Sequence, residues 1–263
     1  MIPQHTSALL ISDLHLTPSM PLTAQRFFDF CLKDAPRVEA VFILGDLFEY
    51  WIGDDAAVDS PFQQEVKRAI ANLSIKTKTY YMHGNRDFLL GPDFLKKTGM
   101  TFLPDPSKID IAGNDYIICH GDSLCTADVG YQIFRNWVRK PWIQKLFLKM
   151  PLHRRRSIAK NLRSNSSAQY QSYAGNAPND RARKTNVTLS ACAALLRDMP
   201  GDQLIHGHTH LPAHHHEKWH DQTWQRWVLS DWDLDHPESS LPKASALRID
   251  SSGVHYDDLV KPQ

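Results

Sequence analysis

Five short runs in this chain, Ala8–Ile11, Val41–Leu44, Thr79–Met82, Tyr116–Cys119 and Gln203–Ile205, are rich in β-branched, aliphatic or aromatic residues and stop abruptly in polar segments. Those segments are Ser12-Asp13-Leu14-His15, Gly45-Asp46, His83-Gly84-Asn85-Arg86-Asp87, His120-Gly121-Asp122 and His206-Gly207-His208-Thr209-His210. Runs of this length and composition read as buried strands, and a buried strand delivers to its end whatever side chain follows it. One such motif is weak evidence. Five of them in one chain constrain the fold to one that gathers strand ends, with their carboxylates, carboxamide and imidazoles, around a common centre.

That donor mixture suits a two-metal phosphoesterase. Two divalent cations can clamp the attacking and leaving oxygens of an in-line phosphoryl displacement and acidify water. Oxygen and imidazole donors favour Mn²⁺, Fe or Zn²⁺ over Ca²⁺. A thiolate zinc site is not available, because Cys31, Cys119, Cys125 and Cys192 show no C-x-x-C pairing.

The set D-x-H, G-D, G-N, H-G and G-H-x-H resembles the calcineurin-like metallophosphoesterase superfamily. The resemblance implies an α/β fold, the αββα sandwich, with Asp13, His15 and His210 on a first metal and Asn85, His120 and His208 on a second. Asp46 would bridge the two, since one carboxylate can serve two cations and offset their repulsion. Two Mn²⁺ ions, or other divalent metals, are the implied cofactors.

Longer strings narrow the resemblance. Gly45-Asp46-Leu47-Phe48-Glu49, Trp51-Ile52-Gly53-Asp54-Asp55, His83 to Gly91, His120 to Thr126, Asp128, Gly130-Tyr131-Gln132 and Lys140-Pro141-Trp142 are similar to the lipid A-pathway diphosphatases of that superfamily. The implied reaction is hydrolysis of UDP-2,3-diacylglucosamine to UMP and the acylated sugar 1-phosphate, by water attacking the uridine-side phosphorus. Catalytic roles would fall to Asp46, Asn85, Arg86 and His120, and substrate contacts to Asn85, Arg86, Asp128, Ser166 and His208. Where the family pattern has an Asn and a Lys after that Ser, this chain has Tyr170 and Tyr173, followed by Arg181, Arg183 and Lys184. Many phosphatases of the fold carry His directly after the metal-binding Asn; here Arg86 stands there. A guanidinium grips phosphate oxygens but donates no proton, which suits a leaving group that is already a stable anion.

A charge block is the second informative feature. Between Asp128 and Asp180 there is no acidic residue, yet ten basic ones: Arg135, Arg139, Lys140, Lys145, Lys149, Arg154, Arg155, Arg156, Lys160 and Arg163. Since the formal net charge is only +1, the rest of the chain is acidic. Tyr131, Phe134, Trp137, Trp142, Ile143, Leu146, Phe147, Leu148, Met150 and Leu152 lie among the cations at helical spacings. Such a stripe is ordinarily a helix packed on a core. Its place between the His120 and His208 segments makes it an insertion over the site: residues 1–263 read as one metallophosphoesterase domain with a helical lid at about 124–200. By resemblance the lid receives acyl chains, and the enzyme is a monomer, cytoplasmic and peripheral on the anionic cytoplasmic face of the inner membrane.

Rival readings are a two-metal nuclease or phosphodiesterase of the same fold and a non-catalytic scaffold. The aliphatic weight of Ile143, Leu146, Leu148, Met150 and Leu152 favours acyl chains over stacked bases, so no nucleic-acid partner is expected. A scaffold would have lost donors, whereas all seven are present. With 42% hydrophobic and 22% charged residues the usage is globular, no apolar run approaches the roughly 20 residues of a membrane span, and no signal peptide is expected at the N-terminus. His83 and His206 read as supporting residues, His214-His215-His216 as surface residues on a turn after Pro212, Cys119 as a small buried hydrophobe and Cys125 as a loop residue near the site. Helices are predicted over Leu22–Lys33 and from Ser60-Pro61 to about Leu73, and late strands over Trp224–Leu229 and Ala244–Ile249, with parallel βαβ units in the first third.

Overall fold

A computed structural model describes residues 2–58, 60–162, 185–236 and 241–260. Their elements are β1 (Gln4–His5), β2 (Ala8–Ile11), α1 (Pro21–Asp29), β3 (Ala40–Ile43), α2 (Pro61–Lys76), β4 (Lys78–Tyr81), α3 (Pro92–Thr98), β5 (Thr101–Phe102), β6 (Ser107–Ile111) and β7 (Asn114–Cys119). There follow α4 (Val129–Val138), α5 (Pro141–Leu148), α6 (Leu189–Asp198), β8 (Gln203–His206), β9 (Ala213–Trp219), β10 (Gln222–Val228), β11 (Ser245–Asp250) and β12 (Gly253–Asp258).

Two six-stranded sheets result, ordered β12-β11-β2-β3-β4-β5 and β1-β6-β7-β8-β10-β9. The five predicted runs are strands, and β2, β3 and β4 pair in parallel as βαβ units do, while β7 and β8 are parallel neighbours in the other sheet. Strand pleat explains the layering. In β2 the side chains of Ala8 and Leu10 face the other sheet, meeting Ile109, Ile118, Ile205 and Trp227. Leu9 and Ile11 face the opposite way, against Phe27 of α1 and Val66 and Ile70 of α2. On the far sheet Ile117 and Leu204 turn outward to Cys192 and Leu196 of α6. The chain is therefore helix, sheet, sheet, helix in section, with both faces of the central strands buried.

Local chemistry accounts for the helix starts. The Ser60 hydroxyl accepts from Gln63 N, Pro61 sits in the first turn, and Val66, Ile70 and Leu73 form the buried stripe of α2. The predicted Leu22–Lys33 helix divides: α1 ends at Asp29 and continues as a wider π turn over Phe30–Asp34. Arg26 spans that turn, its Nη2 lying 2.6 Å from Asp34 Oδ2. The triple histidine corrects expectation. His214 to His216 lie within β9, not on a turn, because β9 pairs antiparallel with β10 over its whole length and His214 stacks on Trp227 at 3.5 Å.

The basic segment departs from an ordinary packed helix. Neither α4 nor α5 has a buried residue, and Trp137, Trp142 and Leu146 are 53%, 58% and 62% exposed. Residues 152–162 are helical as well. Toward the end of the predicted insertion, α6 packs on the sheet through Cys192, Ala193 and Leu196. Arg155 is not a free surface cation. It is 2% exposed, pairs with both oxygens of Asp55 and donates to the Ile52 and Met150 carbonyls, pinning helical residues 152–162 to the loop after β3. In that loop the Trp51 indole donates to Asp54, whose carboxylate also takes the Gly91 and Phe94 amides at the start of α3. Both acidic residues of the Asp54-Asp55 pair are thus structural. Ser166, Tyr170, Tyr173, Arg181, Arg183 and Lys184 lie outside the described residues.

Candidate metal centre

Because β2, β3 and β4 run parallel, the segments after them emerge side by side, and those after β7 and β8 do the same from the facing sheet. One oxygen of Asp13 and one nitrogen each of His15 and His210 lie within 4.8 Å of one another. His15 Nε2 is 3.3 Å from His210 Nε2, which is 3.4 Å from Asp13 Oδ1. A second convergence lies beside the first: Asn85 Oδ1 is 2.9 Å from His120 Nε2 and 2.9 Å from His208 Nδ1. Asp46 joins them, with its Oδ1 3.8 Å from His120 Nε2 and one oxygen within 4.8 Å of donors on Asp13 and His120. All seven residues singled out in the sequence meet in one cluster.

The cluster fits divalent cations on its own chemistry. Asp13 Oδ1 is buried and, among the described residues, has the His210 ring 3.4 Å away but no donor in hydrogen-bonding geometry, an arrangement costly unless a cation satisfies it. The His120 Nδ1 donates to the Leu44 carbonyl at 2.8 Å, which fixes the ring so that Nε2 is the nitrogen aimed at the cluster. Burial favours a neutral His120 ring, but the carboxylates of Asp46 and Asp13 outweigh it and raise its pKa to about 9. Burial likewise pushes Asp46 up to about 7, His120 opposing and Asp87 and Asp13 adding to it. For Asp13 burial also acts upward, yet His210 and the neighbouring rings pull it below the usual carboxylate range. Burial depresses His208 to about 4. His208 and His15, both held neutral by burial, stand with ionised Asp13 as ready ligands, while a cation would displace the proton that the carboxylates keep on His120.

Backbone strain marks the same residues. Asp13, His15, Asp46, His208 and His210 all have φ between 48° and 68°. L-residues adopt this region at a cost of about 1–2 kcal/mol each, so the surroundings must enforce it. Asp87 supplies much of the enforcement around Asp46: fully buried, it accepts from the Gly84, Asp46 and Leu47 amides at 3.0, 3.3 and 2.8 Å. Arg86 N in turn donates to Asp46 Oδ1 at 2.8 Å. The turns approach so closely that a Cβ on Gly84 would overlap Asp46 Oδ1 and its amide, and one on Gly207 would overlap Ser12 Oγ and Asp13 Oδ2. Gly84→Ala should therefore cost about 1–3 kcal/mol of stability by overpacking. A denaturant midpoint equal to the wild type's would contradict this close approach.

Other predicted residues fall at varied distances from the cluster. Arg86 has its guanidinium about one-third exposed, 3.7 Å from Glu49. Asp128 caps α4, accepting from Tyr131 N at 3.0 Å, a structural task its sequence setting did not suggest. His83 and His206 stay out of the cluster: the first bonds the Leu90 carbonyl, and the second sits between the Gly207 carbonyl and Arg226. Cys119 and Cys125 are both buried. Sequence reading missed Asp87, Glu49 beside His15 at 3.6 Å, Asp231 beside His210 at 3.6 Å, and Asp122. Of these, Asp87, Asp122 and Glu49 sat inside quoted motifs; Asp231 carried no signal.

The calcineurin-like phosphoesterase family model matches residues 6–212. Among curated proteins, a UDP-2,3-diacylglucosamine hydrolase of Ralstonia nicotianae is 46% identical, covering 91% of this chain and 87% of that protein. A UDP-2,3-diacylglucosamine hydrolase of Ectopseudomonas mendocina is 40% identical over 94% of this chain and 96% of its own, and one of Escherichia coli 40% over 91% and 95%.

Proposed function

The chain belongs to the calcineurin-like phosphoesterase family, and from that membership we propose that its strand-end cluster hydrolyses UDP-2,3-diacylglucosamine. The protein is a metal-dependent hydrolase of the lipid A pathway, like the relatives it matches along most of its length. The observation that carries the reading of the site is the double convergence of donors, Asp13, His15 and His210 on one side, Asn85, His120 and His208 on the other, with Asp46 between.

Two cations, Mn²⁺ or a similar divalent ion, would be held by those seven residues and would supply Lewis acidity and a more acidic water for an in-line displacement. The chain's own groups do the rest. Asp87 and Gly84 hold Asp46 where its carboxylate serves both donor sets. The Arg86 guanidinium, charged and partly exposed, would fork phosphate oxygens and stabilise charge on the leaving phosphate. Asp128, Ser166 and His208 complete the assigned substrate contacts. We read the chain as one metallophosphoesterase domain with the lid inserted at about 124–200.

The exposed apolar residues of α4 and α5, set among cations, support a lid that receives acyl chains and touches an anionic membrane surface. Among the described residues no helix is long and apolar enough to cross a membrane. A monomer, peripheral on the cytoplasmic face of the inner membrane, is the state this reading assigns. Hydrolysis in heavy-oxygen water tests the chemistry: attack at the uridine-side phosphorus puts the label in UMP. Label in the sugar phosphate would reverse the direction of attack, and comparable cleavage of DNA would favour a nuclease.

A further inference from the structure

Asp122 follows His120 by two residues, yet its carboxylate turns toward the lid. It is fully buried, and its Oδ2 accepts from the Tyr131 hydroxyl at 2.6 Å and from Arg135 Nε at 2.7 Å, with Arg139 Nη2 at 3.6 Å. Its Oδ1 is buried with no partner among the described residues. Three α4 or adjoining side chains thus converge on one carboxylate at the edge of the metal cluster.

Tyr131 also meets one residue of a single donor set, and the two arginines meet the neighbours that hold the other two. The Tyr131 ring lies over His208, centroids 6.2 Å apart and planes 24° from parallel. Arg135 Nη2 lies 3.4 Å from Asp105 Oδ2, while Asp105 Oδ1 accepts from His120 N at 3.1 Å. Arg139 Nη2 donates to the Gly84 carbonyl at 2.8 Å, one residue before Asn85, with its guanidinium over Phe88. His208, His120 and Asn85 are the second donor set. The first is braced differently: Asp13 by Ser12 Oγ and His208 N, His15 by Glu49, and His210 by Asp231.

We infer that Asp122 is a positioning residue that aligns Asn85, His120 and His208 on one of two metal ions by tying lid helix α4 to all three of their turns. Helix α4 and one half of the metal centre are in this way a single mechanical unit, while the Asp13, His15 and His210 half is held mainly by Ser12, Glu49 and Asp231 and meets that unit through the His208 N to Asp13 bond. Residues that orient ligands without touching the metal commonly change its affinity 10- to 100-fold when altered. The inference rests on the two-metal reading above.

Titration calorimetry of the full chain with Mn²⁺, alongside thermal melting, provides the test, with His208→Ala marking which binding step belongs to the second set. Asp122→Asn keeps the side-chain shape and removes the charge that holds Arg135 and Tyr131. The marked step should weaken about 10- to 100-fold and the other by less than about threefold. Tyr131→Phe removes only the hydroxyl bond and should weaken the same step by a smaller factor, so it stands as the test if Asp122→Asn fails to fold. Equal weakening of both steps with a lowered melting temperature would make Asp122 a general structural residue and overturn the inference, as would two unchanged steps. A wild-type stoichiometry of one Mn²⁺ per chain would overturn the two-metal reading, and the inference with it.

Discussion

Replacing Asp46 by alanine should abolish turnover, with kcat/KM falling at least about a thousandfold, the scale expected when several kcal/mol of cationic charge stabilisation are lost. Asp46 is 1% exposed and stands between the two donor sets, so without it each of the two proposed cations would lose an anionic ligand and the pair would repel across the gap. The fold should survive. Burial already disfavours the Asp46 carboxylate, pushing its pKa up to about 7, so removing that charge relieves the metal-free protein of a desolvation cost. The expected signature is asymmetric: metal-free Asp46→Asn, which keeps an acceptor for Arg86 N, melts no lower than the metal-free wild type, while the stabilisation that Mn²⁺ confers on the wild type largely disappears. A variant that keeps both its activity and its response to Mn²⁺ would remove Asp46 from the centre.

Much of this arrangement was legible because the physics that makes a strand is local. Ala8–Ile11 is a strand in the sequence and in the structure alike, and the Tyr116 and Gln203 runs differ from β7 and β8 by only one or two residues. A buried strand needs an apolar run, and the first polar residue after it can only lie at the sheet's edge, so Asp13, Asp46, Asn85, His120 and His208 were readable one by one. Their convergence is a property of two facing sheets, which no single run encodes. The left-handed backbone at Asp13, His15, Asp46, His208 and His210 was invisible for a different reason: it is imposed by tertiary contacts such as Asp87 and the Gly84 and Gly207 approaches, against the residues' own preference. Arg155 misled for the same reason, since a basic run reads as solvated until its buried partners are known. The triple histidine reads as a turn because polar residues after Pro212 suggest one; pairing with β10 prevails.

The lid yields the second large effect. Trp142 and Leu146 on α5 are more than half exposed, so aspartate at either should leave folding stability within about 0.5 kcal/mol, as surface substitutions usually do. If those side chains meet acyl chains or the membrane, the same change places a carboxylate against hydrocarbon at a cost of up to about 3 kcal/mol on insertion scales. Turnover of the diacylated substrate should then fall about a hundredfold while hydrolysis of a small soluble phosphodiester changes by less than about threefold. The cations separate from the apolar residues in their consequences. Arg154 and Arg156 are exposed, whereas Arg155 is buried against Asp55, so the surface charge is tested by changing the outer two to Ser and leaving Arg155 in place. At about 1 kcal/mol for each charge near an anionic surface, partitioning onto vesicles containing anionic lipid should drop about thirtyfold, and salt should suppress the wild type's advantage. Equal losses on both substrates after Trp142→Asp would mean that α5 shapes the active site itself rather than its lipid entrance, and a vesicle affinity untouched by the arginine changes would place the membrane contact elsewhere.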